Sequence, residues 1–130
     1  MIHPRLSALA IAAGVAAPVA ASNLPSGQVV ELYEVLVDEV TTERWVRFRF
    51  LAPEIARDTG VLRFSDVEPD LAHLCDTVAL PYLAEFDLGG QGVVISLSDR
   101  KVDFGQTDPD ATQFIDAFRV DAGACIWEGF

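Results

Sequence analysis

The chain has 130 residues, of which 51% are hydrophobic, and a formal net charge of −11 at pH 7. This length indicates one domain. Because phosphate binding depends on clustered Lys and Arg, so acidic a chain argues against nucleic acid and anionic lipid as partners. The acidity is typical of a protein that stays soluble in an extracytoplasmic space, and it would also suit a cationic partner.

The N-terminal stretch has the three-part pattern of a secretory signal peptide. His3 and Arg5 form a short polar head, and residues 6–19 are an apolar run. Val19 and Ala21 stand at the minus-three and minus-one positions of a cut after Ala21. The apolar run is shorter than the roughly 20 residues that span a bilayer. The pattern therefore predicts export.

We predict that residues 1–21 are a cleaved signal peptide and that residues 22–130 are a single compact domain. The predicted location is periplasmic or secreted, with no stable membrane anchor after signal cleavage. A retained N-terminal anchor and a cytosolic amphipathic helix are the alternatives.

Two alternating stretches predict an antiparallel hairpin. The segment "GQVVELYEVLVDE" has apolar residues at mostly alternating positions. The segment "RWVRFRFLAP" alternates strictly, with Val46, Phe48 and Phe50 on one face. The link "VTTE" joins them, and a short run "VLRF" at 61–64 predicts a third strand.

The segment "SDVEPDLAHLCDTVALPYLAEF" predicts the first helix. Ser65 and Glu68 have the spacing of a capping box, and apolar residues follow at helical intervals. This periodicity turns Cys75 toward the core. Pro81 is expected to end or kink the helix, because proline lacks the donor N–H.

The rest of the chain predicts a second hairpin, a second helix and a last strand. The hairpin is "VVISLSDRKVDFG", which turns near Asp99 and Arg100. In "TDPDATQFIDAFRV", Asp108 as N-cap and Pro109 at the first helical position predict a helix. That helix would bury the apolar residues Phe114, Ile115 and Phe118. The closing "ACIWEGF" predicts a strand.

These elements predict an α+β fold class. The expected architecture is a small antiparallel sheet of about five or six strands, including two hairpins, packed on two helices. One disulfide is expected to staple it.

The two cysteines of the chain are Cys75 and Cys125. Export would carry both into an oxidising compartment, where thiols pair, and one pair allows one connectivity. Closing a loop of about 50 residues would stabilise the fold by about 4 kcal/mol. No metal site is predicted, since His73 is the only histidine after the leader and the soft ligands are too few for zinc.

Trp127 follows Cys125 by two residues, so both side chains share one face of the predicted last strand. If Cys125 is bonded to the helix, the indole is expected to be buried against that helix. Its replacement by alanine would then cost about 3 to 5 kcal/mol.

Several stretches together resemble a known family. They are "RFRFLAPEI", "DLAHLC", "VVISLSDR", "DPDATQFIDAFR" and "CIWEGF". They look like a family of short alphaproteobacterial exported proteins described only as a domain of unknown function. The resemblance implies export and a compact fold and transfers no catalytic residue. Some relatives are labelled acetolactate synthase, but a thiamine-diphosphate enzyme needs a cofactor fold several times longer, so the label is not carried over.

No catalytic residue and no cofactor are predicted. His73 and Cys75 as base and nucleophile would point about 200° apart on their helix. Four aspartates crowd a short stretch but miss the spacing of an EF-hand, and capping and turn formation explain them better. They are Asp99, Asp103, Asp108 and Asp110.

The most distinctive surface feature is basic. Arg47 and Arg49 project from one face of a strand, and Arg63 would lie beside them on the next predicted strand. Such a cluster could bind a carboxylate or phosphate, because Arg offers a planar bidentate fork. The alternative is cross-strand pairing with Glu31, worth a few tenths of a kcal/mol.

Two function classes remain open. The first is an exported, non-catalytic periplasmic module that binds an unknown partner protein or a small anionic ligand. The second is a small carboxylate-using hydrolase of unknown substrate, with Asp99 or Asp103 in a cleft. A close carboxylate pair in a pocket would favour the enzyme, and an exposed apolar patch would favour the binding module. The sequence favours the non-enzymatic role.

Overall fold

The computed structural model describes residues 19–40 and 42–128. One mixed sheet has six strands, whose order in space follows their order in the chain. Neighbouring strands are antiparallel, except for the third and fourth, which are parallel. The strands are β1 (Val19–Ala21), β2 (Val30–Val40), β3 (Glu43–Leu51), β4 (Gly92–Ser98), β5 (Gln113–Asp121) and β6 (Ala124–Trp127).

One long helix, α1, connects the parallel strands β3 and β4. It consists of α-helical Phe64–Leu74, a π-helical turn Cys75–Ala79 and α-helical Leu80–Glu85. A crossover of this kind is required because parallel neighbours cannot be joined by a tight turn. The predicted first helix is confirmed, but the purely antiparallel sheet is wrong.

The helix starts and continues differently from the prediction. The backbone N–H of Arg63 donates to the Asp66 carboxylate at 2.9 Å, so Asp66, and not the pair Ser65 and Glu68, reaches back to the helix start. Pro81 does not end the helix, because the π-helical turn precedes it. Such a widened turn accommodates the proline ring and its missing donor.

The helix covers one face of the sheet, here called the helix side, and the opposite face is called the open side. The predicted alternation of β3 is confirmed, since Trp45, Arg47 and Arg49 point to the open side and Val46, Phe48 and Phe50 to the helix side. The core there combines strand and helix residues, among them Val35, Val46, Phe48, Phe50, Val93, Ile95, Leu97, Val67, Leu71, Leu74 and Cys75.

The predicted second helix is wrong, because the C-terminal part of the predicted segment lies in the strand β5, Gln113–Asp121. The Asp-Pro signal belongs to a turn instead: Oδ1 of Asp108 accepts the backbone N–H of Asp110 at 3.0 Å. The apolar residues Phe114 and Phe118 are four apart, so they fit a period of two as well as a helical period. Pairing with the fully buried strand β4 decides between the two periods.

The predicted second hairpin and third strand are also wrong. β4 ends at Ser98, and residues 99–112 form an irregular loop whose ends meet. The backbone N–H of Asp99 donates to the carbonyl of Thr112 at 3.1 Å. The residues just before the helix are bonded to a 3₁₀ turn, Pro53–Ile55. The backbone N–H groups of Val61 and Leu62 both donate to the carbonyl of Glu54 in that turn.

The predicted disulfide between Cys75 and Cys125 is confirmed, with a Cα–Cα distance of 6.3 Å. It ties the middle of α1 to β6. Trp127 lies on the same side of β6 as Cys125, but the expectation of a buried indole is wrong, since the residue is 65% exposed. The indole stays exposed because β6 is an edge strand of the sheet. The helix α1 contacts β6 through its π-helical turn, near the disulfide.

The N-terminal edge of the sheet involves the predicted leader. Residues 1–18 lie outside the described residues, and Val19–Ala21 form β1, which pairs with β2. The following turn is held by Asp70 of α1, whose buried carboxylate accepts hydrogen bonds from Ser26 and Gln28. Among the described residues, no helix is long and apolar enough to cross a membrane.

Candidate binding surface

The open side of the sheet carries two of the three arginines that the sequence indicated as binding residues. The register of the strands arranges its side chains in rows that run across the sheet. One row is Glu34, Arg49, Ser96 and Ile115; the next is Leu36, Arg47, Val94 and Ala117; the third is Asp38, Trp45, Gly92 and Arg119. Arg47 therefore lies near the centre of this face.

The loop 99–112 folds over part of the open side and brings an aromatic ring to the arginines. The Phe104 ring centroid lies 5.2 Å from the Arg47 guanidinium carbon and 5.5 Å from that of Arg49. Such distances are typical of cation–π contacts. Phe104 remains 55% exposed, so the ring has a free surface beside the two guanidinium groups.

Arg49 is committed to the fold. It is 5% exposed, and Nη1 pairs with Oε1 of Glu34 at 2.5 Å while Nη2 donates to the carbonyl of Val102 at 2.7 Å. A second aromatic ring, that of Tyr33, lies 5.3 Å from its guanidinium carbon. With both terminal nitrogens occupied, Arg49 holds the loop onto the sheet.

The partner of Arg49 differs from the predicted Glu31, because the register of the β2–β3 hairpin places Glu34 opposite Arg49 and Glu31 opposite Leu51. The register shifts just beyond this pair, between Leu32 and Glu34, so Tyr33 is an extra residue. Burial raises the pKa of the Tyr33 phenol, and the positive charge of Arg49 acts in the opposite direction. A half-buried phenol thus lies against the ion pair of Arg49 and Glu34.

Arg47 forms no ion pair and no side-chain hydrogen bond with any residue that the structure describes. Its side chain is half-buried. Burial is the main cause that lowers the pKa of this guanidinium, and the nearby charge of Arg49 lowers it further, while Asp38 acts in the opposite direction. Arg47 is therefore a partly desolvated cation that lacks a close anion in the described part of the chain.

The other arginines of the sheet are paired. Arg44 forms an ion pair with Glu39, and Arg119 with Glu43 and Glu128. A hydrogen bond from Arg119, followed by one from Trp45, lowers the pKa of Glu43.

Arg119 also lies over the Trp45 ring, at 5.4 Å from its centroid. That ring in turn covers Gly92, where a Cβ atom would overlap it. A glycine in β4 thus lets the indole lie flat on the open side.

Arg63, the third predicted binding residue, does not join Arg47 and Arg49. It is exposed and lies at the N-terminus of α1, which packs on the helix side. The next residue, Phe64, contacts the Phe114 ring at a centroid distance of 5.3 Å. The separation follows from the missing strand at 61–64, which the prediction needed to place Arg63 on the sheet.

Three apolar residues of the open side were missed by the sequence reasoning. Phe104, Ile115 and Ile126 are exposed large side chains, contributed by the loop, β5 and β6. The alternation of the last strand was visible, but Ile115 had been assigned to a helix. A correct assignment of β5 as a strand would have placed Ile115 on the side opposite Phe114 and Phe118.

The aspartates considered for catalysis serve the loop. Oδ1 of Asp99 accepts the backbone N–H of Thr112 at 2.6 Å, and Oδ2 pairs with Arg100 at 3.0 Å. Asp103 is exposed. Within residues 19–40 and 42–128, no group of His, Cys, Asp and Glu side chains is arranged to hold a metal ion.

Two cavities lie away from Arg47. One, of about 550 Å³, is lined by loop residues and by Arg57, whose guanidinium donates to the carbonyls of Pro109 and Ala111. The other, of about 320 Å³, lies between the β2–β3 turn and residues 88–91.

Comparison with known families matches residues 7–130 to DUF6497, a family of unknown function. The match covers most of the chain, so the chain belongs to this family. No curated protein matches the chain, and no solved structure matches it.

Proposed function

We propose that this DUF6497 protein is an exported, non-catalytic module that binds a carboxylate of a partner protein on the open side of its sheet. The observation that carries the proposal is Arg47, a half-buried cation without an ion pair among the described residues. Of the six other arginines that the structure describes, four already have a carboxylate partner; the other two, Arg57 and Arg63, lie away from the open side.

A bound carboxylate would supply the negative charge that Arg47 lacks within the described residues. A partly desolvated guanidinium gains from a planar carboxylate, which accepts two parallel hydrogen bonds. Removing one partner of such a buried, hydrogen-bonded pair at an interface costs about 2 to 5 kcal/mol. The neighbouring ion pair of Arg49 and Glu34 would stay in place, because its geometry is already satisfied.

The surroundings of Arg47 favour a protein over a small molecule. Small ligands bind in concave cavities, and both described cavities lie elsewhere. The open side is instead a sheet face with exposed Phe104, Ile115 and Ile126. Exposed aromatic and aliphatic groups beside an arginine are typical of protein interfaces.

Export is supported by the leader, by the disulfide and by the family resemblance. The leader has the signal-peptide pattern, a disulfide joins Cys75 to Cys125, and disulfides persist in oxidising compartments. The resemblance to alphaproteobacterial exported proteins points the same way. The periplasm or the cell exterior is the proposed location.

The test compares wild-type protein with Arg47→Gln and with the matched control Arg63→Gln. All three proteins are purified in oxidised form, immobilised and exposed to an extract of the compartment into which the protein is exported. We expect a partner captured by wild type and Arg63→Gln and lost from Arg47→Gln. In parallel, acetate is titrated into isotope-labelled protein, and the Nε–H signal of Arg47 is expected to shift.

The outcomes separate the possible ligands. A shift of the Arg47 signal with acetate, without any captured protein, would identify a small carboxylate as the ligand. Equal capture by wild type and Arg47→Gln, together with an unmoved Arg47 signal, would contradict the proposal. Arg47→Lys should bind weakly, because an ammonium group lacks the bidentate fork.

The alternative function, a hydrolase with Asp99 or Asp103, has no supporting observation among the described residues. Both oxygens of Asp99 are engaged by Thr112 and Arg100, and Asp103 lies on an exposed loop. We therefore do not propose it.

A further inference from the structure

We propose that removal of the leader opens a strand-binding site at the outer edge of β2, which takes an extended segment of a partner protein. The segment has small apolar residues at alternate positions and a basic residue between them. This inference rests on the export that is part of the proposed function. It concerns a different surface from Arg47.

The site follows from the double role of Val19–Ala21. These residues are β1, and they also contain the minus-three and minus-one positions of the predicted cut. In the folded chain they pair with Leu32, Glu31 and Val30 of β2, and Ala21 belongs to the buried core. A cut after Ala21 therefore removes the strand that closes this edge of the sheet.

The edge left behind would be ready to bind. Without β1, the outward backbone groups of residues 30–32 lose their partners, and such an edge accepts another strand. The side chains of Val30 and Leu32, which are 1% and 2% exposed, belong to the buried core, so this edge is part of the ordered sheet.

The position of the edge does not depend on β1. The turn that follows the cut is anchored to α1, because Asp70 accepts hydrogen bonds from the backbone N–H of Ser26 and from Gln28, both at 2.9 Å. Leu24 is buried in the core. All these anchors lie after the predicted cut, so they hold the start of β2 in place.

The strand β1 itself defines the chemistry of the occupant. Val19 and Ala21 are small and lie opposite Leu32 and Val30, whereas the exposed Ala20 lies opposite Glu31. A Lys or Arg at the position of Ala20 would face this glutamate, and opposite charges directly across two strands stabilise the pair. A second copy of the chain fits less well, because pairing of two β2 edges centred on Glu31 would oppose two carboxylates.

The experiment uses the protein as it is exported, purified from its compartment and weighed by mass spectrometry. A peptide of residues 17–22 with Ala20→Lys is titrated into the isotope-labelled protein. We expect saturable shifts confined to the amides of residues 30–32, and slower hydrogen exchange of those amides. The matched peptide with Ala20→Glu should bind roughly twofold to fivefold more weakly, which corresponds to a cross-strand charge pair.

A third peptide, with both Val19→Pro and Ala20→Pro, should not bind, because the N–H groups of successive strand residues face opposite edges and one of these two must face β2. If the exported chain starts at Ser22 and no peptide moves these amides, the strand-binding site does not exist. If the exported chain retains Val19, β1 closes the edge and the proposal is overturned. Neither outcome affects the Arg47 signal, so the failure of this site is distinguishable from the failure of the carboxylate site.

Discussion

The indole Nε1 of Trp127 donates a hydrogen bond to Oδ1 of Asp116 at 2.8 Å. Asp116 is buried and lies opposite Ile95 on the side of the sheet that α1 covers. The ring thus shields a carboxylate at the rim of the core while most of its own surface faces solvent. Trp127 serves as a cover for Asp116 and contributes little to the core itself.

We expect Trp127→Ala to lower the free energy of unfolding by about 1 to 2 kcal/mol, since the substitution removes one hydrogen bond to a charged acceptor. The fully buried Phe48 is the comparison: Phe48→Ala should cost about 3 to 5 kcal/mol through lost burial and a cavity. Urea denaturation of both variants measures the difference. Equal losses would show that the indole is a core residue after all.

The disulfide should make a larger contribution than Trp127. Its loop spans 50 residues, for which the chain-entropy model gives a stabilisation of about 4 kcal/mol. A variant with Cys75→Ala and Cys125→Ala should therefore show a much lower urea midpoint than oxidised wild type. Adding reductant should lower the midpoint of wild type and leave that of the variant unchanged.

Arg49 is expected to stabilise the loop 99–112 more than Arg47 does. Arg49→Ala leaves Glu34 and the carbonyl of Val102 without their partner, and we expect a loss of about 2 kcal/mol together with faster hydrogen exchange in the loop. Arg49→Lys should rescue little, because one ammonium group cannot reproduce the two-point contact. Arg47→Ala serves as the control and should change loop exchange much less, because it removes only the cation–π contact with Phe104.

Both tyrosines of the chain should resist ionisation. Burial raises the pKa of Tyr33 and of Tyr82 above the ordinary value of 10.0. Because the folded pKa exceeds the unfolded one, the resulting stabilisation is complete below pH 10.0 and is lost as the pH rises through the folded pKa.

An alkaline titration of tyrosinate absorbance tests this expectation. In the folded protein, phenolate should appear only above the ordinary pKa, and Tyr33→Phe should remove one of the two ionisations. A phenolate that titrates at the ordinary value while the protein is still folded would contradict the burial of its ring.

Local patterns sufficed for the β2–β3 hairpin, for the first helix and for the disulfide. The strict alternation around Phe48 is typical of a half-buried strand, and it allows only one choice of buried face. The helical spacing around Cys75 likewise determined which face of α1 is buried. The cysteine pairing followed from there being one pair.

The errors came from signals that two structures share. Asp108 and Pro109 begin turns as readily as helices, and only the partner β4 shows that β5 is a strand. Arg49 is held by a loop carbonyl 53 positions away in the chain, and the extra residue Tyr33 brings an aromatic ring to its guanidinium. Neither feature has a local signature, so the difference between Arg49 and the unpaired Arg47 could not be predicted.

The parallel pairing of β3 with β4 divides the sheet into two parts that are each local in sequence. Strands β1 to β3 and strands β4 to β6 are both antiparallel meanders with short or moderate connections. Joining them requires closure of a segment that contains the whole of α1, and such non-local contacts form slowly. We expect each meander to form early and the docking of β3 on β4 to limit the folding rate. The bond from Cys75 to Cys125 reaches from the crossover to the second meander. In the oxidised chain the disulfide would keep the helix close to β6 even when the protein unfolds. Refolding of the oxidised chain would therefore not have to bring the helix and β6 together again.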